Sequence, residues 1–418
     1  MLHRHVLAGF SALLIPLVLP VLPVLPVLAE TTPKPLSQDA QVLVQRAFDD
    51  LGGRQPVDYH VHILGLGAAG TGAYASPRLL SWNHPLPRLK ARTIFRSSGV
   101  TDEAQADPQY LARLLDLARQ FPDSPKLAIL AFDYHYAKDG SIDYARSEFH
   151  IPDEYVLQLA ARHPERFIPV ASVHPYDPQA LHRLEACARA GITLVKWLPN
   201  AQGMDPSDPD IDSFYRAMAR HGMALLCHTG LESSVRSDAQ RLGNPLLLRR
   251  PLDLGVTVIM AHAGNRGMSD DLDNPGKKAR NFDLFLRMMD DPAYRDHLYA
   301  DISMLTQTLR NPRDLTTLLA RADLHHRLVN GSDYPLPAID VIIQPRLLQQ
   351  YGFISASERR SLTEIYRHNP LLFDLVLKRT LRHPETGAQF PPEMFVAHPG
   401  LARNSIHEPI HVHTAEGK

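Results

Sequence analysis

Short apolar runs that stop at a polar residue recur along this chain at a nearly constant interval, and that rhythm limits the folds open to it. The runs are Val57 to Leu64, Leu127 to Phe132, Phe167 to Val173, Ile192 to Trp197, Met223 to Cys227, Val256 to Ala261, Leu298 to Ile302 and Arg327 to Asn330. From the fourth onward their ends, near 197, 228, 262, 301 and 333, stand 31, 34, 39 and 32 residues apart. One strand, one helix and two turns fill about that length. Helical spacing fills the gaps, as in Tyr155, Val156, Leu159 and Ala160, or Phe282, Phe285, Leu286 and Met289. Strands that alternate with helices imply an α/β protein with a parallel sheet, and eight units imply a closed (β/α)8 TIM barrel. An open doubly wound sheet is the alternative.

The flanks divide into further segments. Residues 1–29 read as a secretory signal: Val6 to Ala29 carry no charge, Arg4 precedes them, and Val27-Leu28-Ala29 offers a small-residue cleavage site. The stretch is also long enough for a membrane anchor, although Pro16, Pro20, Pro23 and Pro26 interrupt it. Residues 30–55 form a linker and an amino-terminal helix, ended by Gly52-Gly53, and residues 56–382 the barrel. Ile339 to Gln350, Ser357 to His368 and Leu371 to Leu381 are helical in pattern and make a carboxy-terminal helical extension. Residues 383–418, rich in Pro, His and Gly, read as an irregular tail, a surface wrap or disordered. The first unit holds a long insertion with a glycine-rich run, Gly65 to Gly72. That run is a candidate lid or substrate loop, and it lacks the strand, Gly-x-Gly-x-x-Gly, helix order of a nucleotide cradle.

The chemistry-bearing residues sit where the runs end. His60 and His62 are two apart in Val57-Asp58-Tyr59-His60-Val61-His62, hence on one face of a strand, with Asp58 on the same face and placed to orient the pair. His228-Thr229-Gly230 ends the fifth run, His262-Ala263-Gly264 the sixth, and Gly331-Ser332-Asp333-Tyr334-Pro335 the eighth. A parallel barrel delivers all these ends to one rim. Imidazoles with a carboxylate suit a divalent ion such as Zn²⁺, Mn²⁺ or Fe²⁺. Lys196 ends the fourth run as a pocket cation, a group reaching solvent, or an N-carboxylated metal ligand. His174, Asp133 and His135, at the second and third ends, are candidates to line a substrate pocket. Cys227 alternates away from His228 and reads as core.

These motifs, in this order, resemble the amidohydrolase superfamily, in its amidohydrolase-related branch, over about residues 55 to 375. The resemblance implies a metal-dependent hydrolase that uses an activated water on an amide, lactone or ester of a small molecule. A decarboxylase or hydratase of a small carboxylic acid is the alternative on the same barrel, and a non-catalytic exported binding protein a more distant one. It implies that His60, His62, His228 and Asp333 are metal ligands, that Asp333 also moves a proton, and that His262 either binds a second ion or polarises the substrate. Lys196 occupies the place where relatives with two ions carry a carboxylated lysine, so one ion or two stays open.

Composition sets the remaining bounds. A net charge of -1 and a pI near 7.1 offer no basic surface for nucleic acid or anionic lipid. Two cysteines exclude a disulfide scaffold. The expected partners are a small-molecule substrate and, as an open matter, further copies of the chain; the address is a periplasm-like compartment, with no stable membrane association once the signal is cut. Terminal sequencing of the exported protein is therefore expected to begin at Glu30. Recovery of the intact stretch in membranes would make it an anchor instead.

Overall fold

The computed structural model describes residues 35–264 and 266–402; the signal segment and the end of the tail lie outside the described residues. Eight strands carry the architecture: β1 (Val57–His62), β2 (Lys126–Leu130), β3 (Phe167–Val170), β4 (Leu194–Trp197), β5 (Ala224–Cys227), β6 (Val258–Met260), β7 (Leu298–Asp301) and β8 (Leu328–Val329). β1 pairs with β2 and β2 with β3, and an unbroken run joins β4 to β8, all in parallel. Two seams complete the circuit. Between β3 and β4, Ala171 bridges Val195, and Lys196 N donates to Ala171 O at 2.7 Å. Between β8 and β1, Tyr59 N donates to Asn330 O, Asp333 N to His60 O and His62 N to Tyr334 O, at 2.8–2.9 Å. The α/β, parallel arrangement expected from the spacing is therefore present, and the pairing runs round a closed ring as a (β/α)8 barrel requires.

Alternation of side chains splits the apolar residues into two cores. Val57, Tyr59, Ala128, Leu130, Val170, Leu194, Ala224, Leu226, Ile259, Tyr299 and Val329 form one cluster inside the ring. Their neighbours in sequence, such as Leu127, Val195, Trp197, Leu225, Cys227, Val258 and Met260, join a larger cluster beneath the helices. Cys227 is thus core, as its alternation suggests. β1 departs from the rule: Val57 and Tyr59 face inward but Val61 faces the helices, and the register shifts between Asp58 and Val61. The irregularity brings both His60 and His62 to the inner face above Tyr59.

The helices include α1 (Gln38–Asp49), α2 (Ala106–Arg119), α3 (Asp153–Arg162), α4 (Ala180–Arg189), α5 (Asp212–Arg220), α6 (Arg249–Asp253), α7 (Asn281–Asp290), α8 (Pro312–Ala320), α9 (Ala356–His368) and α10 (Pro370–Thr380), with others between them, among them Pro85–Ser97 in the insertion after β1. Each has a local cause. α5 buries Phe214, Tyr215, Ala217 and Met218, a stripe of helical spacing. α9 starts at a capping box of Ser355 and Glu358. α10 follows Asn369, whose side chain accepts from Leu371 N and Leu372 N, and is buried on all sides. No helix among the described residues is long and apolar enough to cross a membrane.

Two expectations need correction. The pattern from Ile339 to Gln350 becomes a helix only over Pro345–Gln350, because a residue before proline is pushed out of the helical region, and Gln344 is extended. The described part of the tail, residues 383–402, is largely irregular but not a loose wrap: Phe390, Met394 and Phe395 are buried, Met394 O accepts from Asn330 N, and Val396 bridges Pro56. The glycine-rich run is held from within the fold, since buried Asp107 accepts from Leu66 N at 2.7 Å, Ala68 N at 3.3 Å and the Thr71 hydroxyl.

One buried ion pair ties α10 to β8. Lys378 Nζ donates to Gly331 O and Asp374 Oδ2, both at 2.6 Å, and burial pushes the Asp374 carboxyl up to about 6. Lys378→Met leaves that carboxyl without its cation and should cost about 3–5 kcal/mol. The double variant Lys378→Met, Asp374→Leu should cost less, because it leaves no buried charge. Denaturant unfolding compares the two, and a single variant no worse than the double would discount the pair.

Candidate metal centre

At the carboxyl ends of the strands the polar residues meet in one place. His60 and Asp333 are joined through His60 Nε2 to Asp333 Oδ1 at 3.3 Å, and His62 Nε2 reaches the same oxygen at 3.0 Å. Lys196 Nζ lies 3.1 Å from His60 Nε2. On the other side, His262 Nε2 is 3.1 Å from His228 Nδ1. His60, His262 and Asp333 each offer a ligand atom within 4.8 Å of the others. All of these side chains are buried except that of His62, which is 23% exposed and stands at the mouth.

Backbone geometry aims several of them. Ala261 faces the inner core, so plain alternation would turn His262 outward. Instead His262 and Ala263 take left-handed φ of 60° and 44°, and the imidazole comes back over the ring. Asp333 has φ 62°. Such conformations cost of order 1–3 kcal/mol in residues other than glycine and gather at functional sites. Arg310 holds the first of them: its buried guanidinium donates to His262 O at 2.6 Å and Ala263 O at 3.0 Å. Gly264, at φ 79°, has no room for a side chain, because an added Cβ would lie 2.6 Å from Phe285 Cβ.

The supporting residues were less visible in the sequence. Asp301, the last residue of β7, is fully buried and touches His60 Nδ1 through Oδ2 at 2.8 Å. Its Oδ1 accepts from His262 N at 2.9 Å and Ser303 N at 3.0 Å. Glu232 lies 3.6 Å from His228 Nδ1. Asp58, on the same strand as the histidine pair, contacts backbone rather than imidazole: Oδ1 accepts from His60 N at 3.0 Å and Ser332 N at 2.9 Å. A polar residue at the end of β7 was the available signal for Asp301; Ser303, Glu232 and Arg310 lie beyond strand ends and carry none.

Charge follows burial here. Burial lowers the imidazoles of His60 and His262, and pushes His228 down to about 4. Burial would raise the carboxyls of Asp301 and Asp333, but the hydrogen bonds they accept, from His60 and Ser303 at Asp301 and from His62 at Asp333, favour the ionised form. Burial also lowers the Lys196 amine. The set is thus neutral imidazoles and ionised carboxylates, the forms that bind a divalent ion. His228 Nε2 is buried with no hydrogen-bond partner, which a site built for hydrogen bonding alone would not leave. The residues fit a metal. Those that would hold it are drawn from His60, His62, His228, His262 and Asp333, with Lys196 beside them.

The other pocket candidates have partners of their own. His174 is buried, with Nε2 3.0 Å from Gln202 O and Nδ1 accepting from Tyr176 N, and burial takes it down to about 3. His135 Nδ1 is 2.8 Å from Ala201 O. Asp133 accepts from His174 N and from Arg183, which also binds Asp153 and Asp177. These contacts tie together the loops after β2, β3 and β4.

An amidohydrolase family model matches residues 57–350. No curated protein matches the chain. Among solved structures, a Pseudomonas putida protein assigned as a 2-pyrone-4,6-dicarboxylic acid hydrolase is 15% identical over 78% of this chain and 94% of that one, with a TM-score of 0.43. The 5-carboxyvanillate decarboxylase of Sphingomonas paucimobilis is 13% identical over 84% and 98%, with a TM-score of 0.44. N-isopropylammelide isopropylaminohydrolase of Burkholderia multivorans is 15% identical over 84% and 81%, at 0.39. Likenesses at this level lend the chain no activity.

Gly331 offers a direct test of how closely the site is packed. A Cβ added there would lie 2.8 Å from His60 Cβ and 3.4 Å from Asp301 Cγ. Gly331→Ala should therefore displace His60, cost about 1–3 kcal/mol through overpacking, and weaken binding of an added divalent ion. Denaturant unfolding and titration with divalent ions check both effects; a variant unchanged in each would mean the site has slack that this geometry does not suggest.

Proposed function

This chain belongs to the amidohydrolase family of enzymes, which act on small molecules, and we propose that it is a metal-dependent hydrolase of an amide, lactone or ester bond. The observation that carries the reading is the convergence of His60, His262 and Asp333, from three strands remote in sequence, within 4.8 Å at a buried point. Zinc suits these donors best, with manganese or iron(II) as alternatives. His60, His62, His228 and Asp333 would hold the ion, with Lys196 beside them and His262 near enough to add a further donor. When bound, a divalent ion lowers the pKa of its water towards 7 and polarises an electrophile. Asp333 is the proton carrier, because a carboxylate kept ionised beside His62 can take a proton from the attacking water and return it to the leaving group. His262 is either a further ligand or the group that polarises the substrate.

Loss of CO₂ from a small carboxylic acid, or addition of water to one, is a second reading. Lys196 favours it, since an amine buried beside His60 would pair with a substrate carboxylate.

Metal analysis of the purified protein, then assays on lactones, amides, esters and aromatic acids, separates the two readings. Hydrolysis without CO₂ release supports the first, and CO₂ release the second. Asp333→Asn is expected to lower kcat about 10²–10⁴-fold, and a chelator to abolish turnover until metal is restored. A protein that retains no divalent ion and keeps full turnover in chelator would end both readings.

A further inference from the structure

We infer that Asp301 and Ser303 form a tautomer lock, which fixes the proton of both His60 and His262 on Nδ1 and leaves both Nε2 atoms as acceptors turned into the site, that of His262 facing His228 Nδ1 at 3.1 Å. The argument is one of donors and acceptors. Asp301 Oδ1 accepts from two backbone N–H groups, those of His262 and Ser303, which identifies this carboxylate as an acceptor. The Ser303 hydroxyl lies in close hydrogen-bond contact with the same oxygen. A hydroxyl has one proton, and here it goes to Asp301. Ser303 Oγ can then only accept from His262 Nδ1, 2.7 Å away, so that nitrogen carries the hydrogen.

For His60 the lock is direct. Nδ1 lies 2.8 Å from Asp301 Oδ2 and must donate to it. The opposite nitrogen agrees, because the Lys196 amine sits 3.1 Å from His60 Nε2 and can donate to it, while the Asp333 oxygen 3.3 Å away takes its hydrogen bond from His62 Nε2 at 3.0 Å. One carboxylate thus sets two rings that come from different strands and whose centroids lie 5.0 Å apart. The lock bears on the role of His262, since a neutral ring protonated on Nδ1 offers an electron pair from Nε2. It can ligate an ion and cannot donate a hydrogen bond to a developing oxyanion. The structure assigns His262 to the ligand set on this ground, and Asp301 and Ser303 act as positioning residues.

The consequence for metal rests on the metal-centre reading; the lock itself does not, and it is read without metal. In metal-free full-length protein labelled with ¹⁵N-histidine, two-bond ¹⁵N–¹H correlation spectra should show His60 and His262 as neutral Nδ1–H tautomers. Asp301→Asn keeps a carbonyl oxygen for the backbone donors but turns an NH₂ to His60, which should move to the Nε2–H form. Zinc affinity, measured by chelator competition, should fall about 10–100-fold. Ser303→Ala should release only the His262 signal, and serves if the Asn variant folds poorly. An Nε2–H tautomer at either ring of the wild type, or an Asp301→Asn variant in which His60 does not change, overturns the lock. Nδ1–H tautomers in a wild-type protein that retains no zinc would support the lock while removing the metal reading.

Discussion

Closure of the ring between its last strand and its first is the constraint on which the site depends. Three backbone hydrogen bonds make that seam, and the Asp58 carboxylate reinforces it by accepting from both His60 N and Ser332 N. Burial pushes Asp58 up to about 7, so the seam holds a carboxyl that an apolar interior disfavours, and Lys378 lies close enough to ease it. Without this joint His60 and Asp333, 273 positions apart in the chain, would have no reason to meet.

The second requirement is that side chains leave the path which regular strands would give them. β1 shifts register, and His262 and Asp333 adopt left-handed backbone. Each departure costs energy that the surroundings must offset. At His262 the offset is visible in Arg310, a cation with two hydrogen bonds to the strained carbonyls and Asp314 at 3.5 Å behind it. Burial takes that guanidinium down to about 10. Strain at the site is thus balanced by a buried charge beneath it, and each would be unfavourable alone.

What could be read from the sequence follows from these facts. Strand ends were legible because burial on both faces makes apolar runs, and a polar residue that stops such a run must face the rim; this identified His60, His62, Lys196, His228, His262 and Asp333. It could not identify Asp301 as a partner of two imidazoles, since a single aspartate ending a run reads the same whether it touches a ligand, a backbone amide or solvent. It also named His174 and His135 as pocket candidates, and position at a strand end could not show that each ring nitrogen meets a backbone carbonyl, Gln202 O for the one and Ala201 O for the other. The helix expected from Ile339 starts only at Pro345, where a local rule outweighs apolar spacing. The burial of Phe390, Met394 and Phe395 was hidden for the opposite reason: the segment has no period, and only the floor of the barrel gives its apolar residues a place.

That floor gives the chain a direction in time. β1 is the first strand of the ring to be synthesised, and the groups on its open side wait for β8, some 270 residues later. β8 is in turn fastened by Met394, with Val396 against Pro56 and Leu401 inside the barrel. On a ribosome the histidine pair therefore waits beside an open edge until β8 emerges. The centre can exist as a whole only once the ring has closed on Asp333, so its assembly is a late event in the folding of the barrel.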